Sequence, residues 1–366
     1  SYCFNRPDRR LGSRAGRVTE SIREAREGGR GRDAQRIDRQ GFAQTLERLD
    51  GAVAFVRLAT LQEILGFFCG GQAAADVDRR AVQREGEARF DAHRDVLWQV
   101  RQEGQPELHA AQAVLLGVSS YVAKRVDGRL KDYFGLLPRY RFTIRPVDPA
   151  YAPFYTSGRG GLEACQMNTY DLPSRPLYNI PALTLHECSP GHSFQAALAL
   201  EQQALPKFRR QTYFSGFGEG WGLYTEYLGE EMGIYRTPYE RFGKLSYEMW
   251  RAVRLVVDTG IHHYGWTRQQ AVDYLAGHTA LSLREVNTEI DRYISWPGQA
   301  LAYKLGELTI RRVRAKAEAA LGPKFDIRKF HDVVLSLGSV PLPTLEERID
   351  GFIADGGQGL PGVAYP

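Results

Sequence analysis

The chain has no apolar run approaching the roughly 20 residues that a membrane-spanning helix requires. Even the segment 53–70 is interrupted by Arg57, Gln62 and Glu63, so no membrane span is expected. Its 4 cysteines, Cys3, Cys69, Cys165 and Cys188, form no CxxC pair. That spacing excludes a zinc ribbon or a dense disulfide framework and leaves the redox compartment open. Charge of one sign is missing too. The net +5 is interspersed, without the one-sided basic stripe or stacking aromatics that a nucleic-acid partner requires. No basic segment leading into an apolar stretch and a cleavage site opens the chain, which is expected to be either cytoplasmic or exported with its signal outside this sequence. What is present, 366 residues of which 43% are hydrophobic, suffices for a sizeable core in roughly two or three packed units.

Lysine is absent up to Gly117, and Tyr2 is the only tyrosine there, whereas arginine is abundant; from Val118 onward Tyr121, Lys124, Lys131 and Tyr133 restore ordinary usage. The composition therefore divides the chain into residues 1–117 and 118–366. The first forty residues offer too little apolar surface to offset the entropy of ordering. Beyond them, Phe42–Leu65 and Asp76–Gln102 carry helical patterning. A helical cap and the product of a shifted GC-rich reading frame are the two readings of this region.

The remainder is expected to be mainly α with a small sheet. Strands are expected at Tyr140–Arg145, halted by Pro146 and Pro149, and at Ala164–Tyr170. Helices are expected at Val118–Phe134, Leu183–Cys188, His192–Gln203, Gly218–Met232, Pro238–Tyr264, Thr267–Ala276, Ser282–Tyr293, Gly298–Ala320 and Ile327–Leu337, each bounded by stop signals.

The strongest chemical signal is the run from Leu183 to His192, an apolar lead-in followed by His186-Glu187 and then His192. Imidazole nitrogen is a good ligand for Zn²⁺, and an adjacent carboxylate can take a proton from a water on the ion. The familiar zinc-peptidase spacing is H-E-x-x-H, but here the histidines are six apart. On an unbroken helix they would stand about 120° apart around the axis. Pro190-Gly191 offers a break that could bring them together. A third ligand is needed, and Glu219 in the run Gly216–Glu226 is the candidate; Glu226, two turns on, could orient a ligand histidine through its other nitrogen. A helix end with two incidental histidines is the alternative without chemistry.

These segments resemble the bacterial family named domain of unknown function 885, whose members carry HExxPGH, EGWxxY and a late PGQALAYK. The resemblance runs from about residue 118 to 353 on His186–His192, Glu219–Tyr224, Arg254–His262, Asp291–Lys304 and Phe325–Asp332, with Ser193 where the family often has another histidine. It implies a multi-helix, gluzincin-like metallopeptidase catalytic domain with a small sheet beside the metal helix. Its ligands would be His186, His192 and Glu219, its cofactor Zn²⁺, and its general base Glu187.

A developing oxyanion needs a donor, and Tyr303, His262 and Tyr293 are the candidates, Tyr303 first. Arg292 and Lys304 are candidates for a substrate carboxylate. Ala164–Tyr170, read as an exposed edge that pairs with an extended peptide, would turn Asn168 toward substrate, and Tyr293 and Arg292 complete that expected set. Arg254 and Asp258 are explained by an i,i+4 ion pair; His263, His278 and His331 are read as structural. A Cys188–His192 thiol pair is the rival catalytic reading. The expected function is a zinc-dependent hydrolase of short peptides. A zinc hydrolase of another amide or ester, and a catalytically inactive helical protein, are the alternatives.

Overall fold

The computed structural model describes residues 105–365; Phe42–Leu65 and Asp76–Gln102 lie outside them. Helix α1 (Gln105–Asp127) is followed by a small sheet of β1 (Thr143–Pro146), β2 (Gly158–Arg159) and β3 (Ala164–Met167). Ten further helices complete the described chain: α2 (Ile180–Glu187), α3 (His192–Glu201), α4 (Lys207–Gln211), α5 (Ser215–Glu231), α6 (Pro238–His262), α7 (Arg268–His278), α8 (Leu283–Ser295), α9 (Ala302–Leu321), α10 (Ile327–Leu335) and α11 (Leu342–Ala354). The mainly α class with a small sheet is observed. The compositional boundary at 117/118 is not a structural one, because α1 runs straight through it. Sequence patterning also missed α4 and α11.

Local chemistry explains the helix starts. Thr267 with Gln270 and Ser282 with Glu285 form capping boxes at α7 and α8, satisfying amides that a helix leaves unpaired. Thr237 and Asp326 cap α6 and α10 with their side-chain oxygens. Helix α2 has no one-sided apolar stripe, and Ile180 through His186 are all buried. That is the pattern of a helix enclosed by others. It packs against α5, where Thr225 Oγ1 donates to the Leu185 carbonyl at 3.0 Å and Trp221 Nε1 donates to the Pro190 carbonyl at 2.8 Å. Helix α5 meets α9 at Gly220 and Gly306, whose backbones approach too closely for any side chain at either position.

In the sheet, β3 is central: β1 pairs with it in parallel, Thr143 opposite Ala164, and β2 in antiparallel, Gly158 opposite Met167. Cys165 on β3 is disulfide-bonded to Cys188, just past α2, with a Cα–Cα distance of 5.4 Å. The sheet is thus tied covalently to the end of the buried helix. No helix among the described residues is long and apolar enough to cross a membrane.

Candidate metal centre

Helix α2 ends at Glu187 as the backbone of Cys188 leaves helical geometry, and α3 begins at His192. Gly191 is required between them for space, since any side chain there would collide with the His186 carbonyl. The break turns His192 back onto His186: their rings are 4.8 Å apart and nearly perpendicular. From α5, Glu219 Oε2 lies 3.1 Å from His192 Nε2 and 3.6 Å from His186 Nε2. The three donor atoms fall within 4.8 Å of one another. Among the described residues this is where three potential ligands converge.

The surroundings fix how each donor points. Glu226 Oε1 pairs with His186 Nδ1 at 2.8 Å, both groups buried, and Arg251 Nη2 lies 3.4 Å from the same oxygen. In the neutral ring, a proton held on Nδ1 leaves the Nε2 lone pair facing the cluster. Gly222 makes room for the ring, because a Cβ there would stand 2.8 Å from it. Burial opposes the charged form of His186, but Glu219 and Glu226 outweigh it and push its pKa up to about 9. Burial likewise opposes the charge on Glu219, yet His192 and His186 hold that carboxyl well below the usual range. Imidazole and carboxylate thus favour each other's charged forms, as a cation in their midst would favour the carboxylate.

Glu187 points toward the sheet rather than joining the donors. Its Oε2 accepts the Gly160 N–H at 2.7 Å. Ser193 supports the same turn, accepting from Gly161 N–H and donating to the Glu187 carbonyl, both at 3.1 Å. The edge nearest Glu187 is therefore β2 and its following glycines. This corrects the expectation for Ala164–Tyr170, since β3 is enclosed by strands on both sides. Asn168 is 1% exposed and is spent on local structure, donating to the Ala152 and Tyr155 carbonyls and accepting from Tyr170 N–H. It does not face a substrate.

Tyr303 stands beside the cluster, its ring 5.9 Å from that of His186 and nearly parallel. Its hydroxyl accepts from Arg292 Nη2 at 2.9 Å and from Gln299 Nε2 at 3.2 Å. Gln299 Nε2 also reaches Glu219 Oε1 at 3.2 Å, while Gln299 Oε1 accepts from Arg292 at 3.0 Å. The carboxylate of Glu219 is thus divided, one oxygen toward the histidines and the other held by Gln299. Because both neighbours of the Tyr303 hydroxyl are donors, its own proton must point elsewhere.

Other expected site residues lie away from the cluster. Tyr293 is buried, and its hydroxyl accepts from Trp250 Nε1 at 3.0 Å and Arg254 Nε at 2.7 Å, so it packs the core instead of meeting substrate. His262 is exposed at the end of α6, its Nε2 2.9 Å from the Tyr293 carbonyl. It sits about 12 Å further along the helix axis than Arg254. Lys304 is buried between Glu248 and Glu307. Arg254 pairs with Glu289 at 2.6 Å, not with Asp258, which accepts the Gly298 N–H instead. Cys188 carries no free thiol, which removes the cysteine nucleophile.

Two neighbours escaped sequence reasoning. One is Gln299, inside the late motif but unassigned. The other is Tyr213, 47% exposed as a residue yet with its hydroxyl bonded to the Glu219 carboxylate, where burial and that charge hold it well above the usual tyrosine value. Its phenol lies over Gly218, where a side chain would displace it. The small residue was the signal available.

Fold and site together define a mainly helical protein with a two-histidine, one-glutamate donor cluster at a break between helices. The chain belongs to the family described as bacterial protein of unknown function (DUF885), which matches residues 69–349. The match reaches back past the compositional boundary, so residues 69–117 are part of the family's text, contrary to expectation. Among solved structures, the chain is similar to "the putative lipoprotein from Colwellia psychrerythraea", with 29% identity and a TM-score of 0.65, over 83% of this chain and 55% of that one. It also shares the fold of "a putative lipoprotein of unknown function from Shewanella oneidensis", with 18% identity and a TM-score of 0.53, over 73% of this chain and 56% of the other. The chain thus spans just over half the length of each. No curated protein matches it.

Proposed function

We propose that the protein is a zinc-dependent hydrolase that cleaves short peptides, with His186, His192 and Glu219 as zinc ligands. The observation that carries this reading is the convergence of three donor atoms within 4.8 Å, next to a carboxylate, Glu187, that is held outside the ligand set. Two imidazole nitrogens and one carboxylate oxygen suit zinc and leave a position for water or substrate. When bound, the ion supplies a Lewis acid that polarises a carbonyl and makes water a competent nucleophile near neutral pH.

The residues do the rest. Glu187, oriented by the Gly160 N–H, takes the proton of the attacking water and later delivers it to the leaving amine. Tyr303, with its proton turned away from Arg292 and Gln299, donates to the oxygen on which negative charge grows. Gln299 keeps Glu219 facing the histidines by one oxygen. A position on the exported side of the bacterial envelope suits the Cys165–Cys188 disulfide, because such bonds persist in oxidising compartments, and suits the two solved lipoproteins that this chain is similar to.

The test is elemental analysis of the purified chain and its variants, with peptide hydrolysis measured alongside. About one zinc per chain, lost in His186→Ala, is expected, together with activity abolished by a chelator and restored by zinc. Glu187→Gln should keep its zinc and lose 10²- to 10⁴-fold in turnover, the usual worth of a general base. A protein that binds no zinc, or a Glu187→Gln variant with parental rates, overturns the reading.

A further inference from the structure

Arg292 has no carboxylate to itself. Its Nη1 lies 3.4 Å from Glu289 Oε1, but Glu289 is wholly buried and already committed. The other oxygen of Glu289 pairs with Arg254 Nη2 at 2.6 Å, and Oε1 also accepts the Thr156 hydroxyl at 2.9 Å. Two guanidiniums thus share this one carboxylate by direct contact. Arg254 is enclosed, its guanidinium over the rings of Trp250, Tyr293 and Tyr303. The Arg292 side chain is 31% exposed, so it is the one of the pair that solvent reaches. Its remaining contacts, Gln299 Oε1, the Tyr303 hydroxyl and the ring of Trp296, are neutral, and Gln299 is itself bonded to Glu219. Arg292 thus stands beside the donor cluster, two hydrogen bonds from the Glu219 carboxylate. Glu219, the other carboxylate whose charge Arg292 feels, is turned toward the histidines.

A half-buried cation whose carboxylate partner is shared gains from an anion that joins it, and a guanidinium N–H to a carboxylate is a strong, charge-assisted hydrogen bond. We propose that Arg292 binds the free C-terminal carboxylate of the peptide substrate, so that the protein removes one or two residues from the C-terminal end. This rests on the hydrolase reading above. The Tyr303 hydroxyl is 2.9 Å from Arg292 Nη2 and each extended residue spans about 3.5 Å, so a carboxylate on the guanidinium and a scissile carbonyl at Tyr303 would be separated by no more than one or two residues. In the reaction the oxygen of water joins the scissile carbonyl carbon, the C–N bond breaks, and the amine takes the proton collected by Glu187. The fragment released keeps the carboxylate that Arg292 held.

The test uses the full zinc-loaded chain and N-acetylated tetrapeptides of one sequence, ending either in a free carboxylate or in an amide. The acid should be cleaved with kcat/KM at least about 30-fold higher than the amide, releasing a free amino acid or a dipeptide. In parallel, calorimetry with the Glu187→Gln chain should show the acid binding more tightly than the amide, a preference lost in the Glu187→Gln, Arg292→Gln double variant and partly kept with Arg292→Lys. Equal cleavage of acid and amide by the unaltered chain overturns the proposal and leaves the hydrolase reading standing. So does an Arg292→Gln chain that slows both peptides equally, since Arg292 would then act through Tyr303 on the oxyanion. Absence of zinc and of hydrolysis overturns the hydrolase reading, and the calorimetric preference then decides the carboxylate site separately.

Discussion

At His186 the choice of tautomer is made by Glu226, whose carboxylate holds Nδ1 at 2.8 Å and leaves Nε2 to face Glu219 and His192. Partners of this kind are worth 10- to 100-fold in metal affinity where they have been removed. Glu226→Gln should therefore weaken zinc binding by about that factor, read by competition with a chromogenic chelator, with the thermal unfolding midpoint as a control for the Arg251 contact. Unchanged affinity would dismiss the orienting role. For Tyr303→Phe, loss of the hydroxyl should leave zinc content intact and lower kcat by about 10²- to 10³-fold, the scale of one oxyanion donor. A variant that turns over normally transfers that role to Tyr213. Residue types and spacing made His186, Glu187, His192 and Glu219 legible, because few side chains ligate zinc and they occur here in a recognisable order. Asn168, Tyr293 and His262 were misplaced because a polar residue near a motif in sequence is equally able to serve the core, and nothing local says which way it turns.

At the scale of elements, the donor cluster depends on two helices being separated by a break and on a third passing close enough to contribute a carboxylate. Space is what the glycines supply: Gly191 lets α3 start against the His186 carbonyl, and Gly222 lets the imidazole lie on α5. A methyl group at 222 would be 2.8 Å from that ring. Gly222→Ala should therefore displace His186 and abolish zinc binding in a chain that remains helical by circular dichroism. Retention of stoichiometric zinc would mean that α5 yields instead. Helix positions were readable from periodicity and caps, because those are properties of neighbours in sequence. The short sheet was harder. Strand propensity located β3, but only the pairing partners, Thr143–Pro146 on one side and Gly158–Arg159 on the other, made it central and β2 the edge.

For the molecule as a whole, stability should depend on pH through a buried histidine that is not one of the three donors. His331 is enclosed by Phe134, Trp221 and Phe330, with Nδ1 at 2.9 Å from the Tyr133 carbonyl and Nε2 at 2.7 Å from the Tyr224 hydroxyl. Burial pushes its pKa down to about 3. The unfolded chain, with an ordinary histidine near 6.5, therefore binds one more proton than the native state between those values. The His331 contribution should be complete above about pH 6.5 and fall on acidification by up to about 1.4 kcal/mol per unit. Urea denaturation at pH 7.5 and 5.0 measures the slope, and His331→Gln should start less stable and vary less. A slope that His331→Gln leaves unchanged would assign the acid sensitivity to other groups. The sequence by itself determined the helical class, the absence of a membrane-spanning helix in the described part and the identity of the metal-ligand candidates, since composition, periodicity and ligand chemistry are local properties. Tertiary structure alone decided that His186, His192 and Glu219 converge, that Cys165 meets Cys188 and that Arg292 meets Tyr303. Those facts depend on distances between residues far apart in the chain, which packing sets and spacing does not encode.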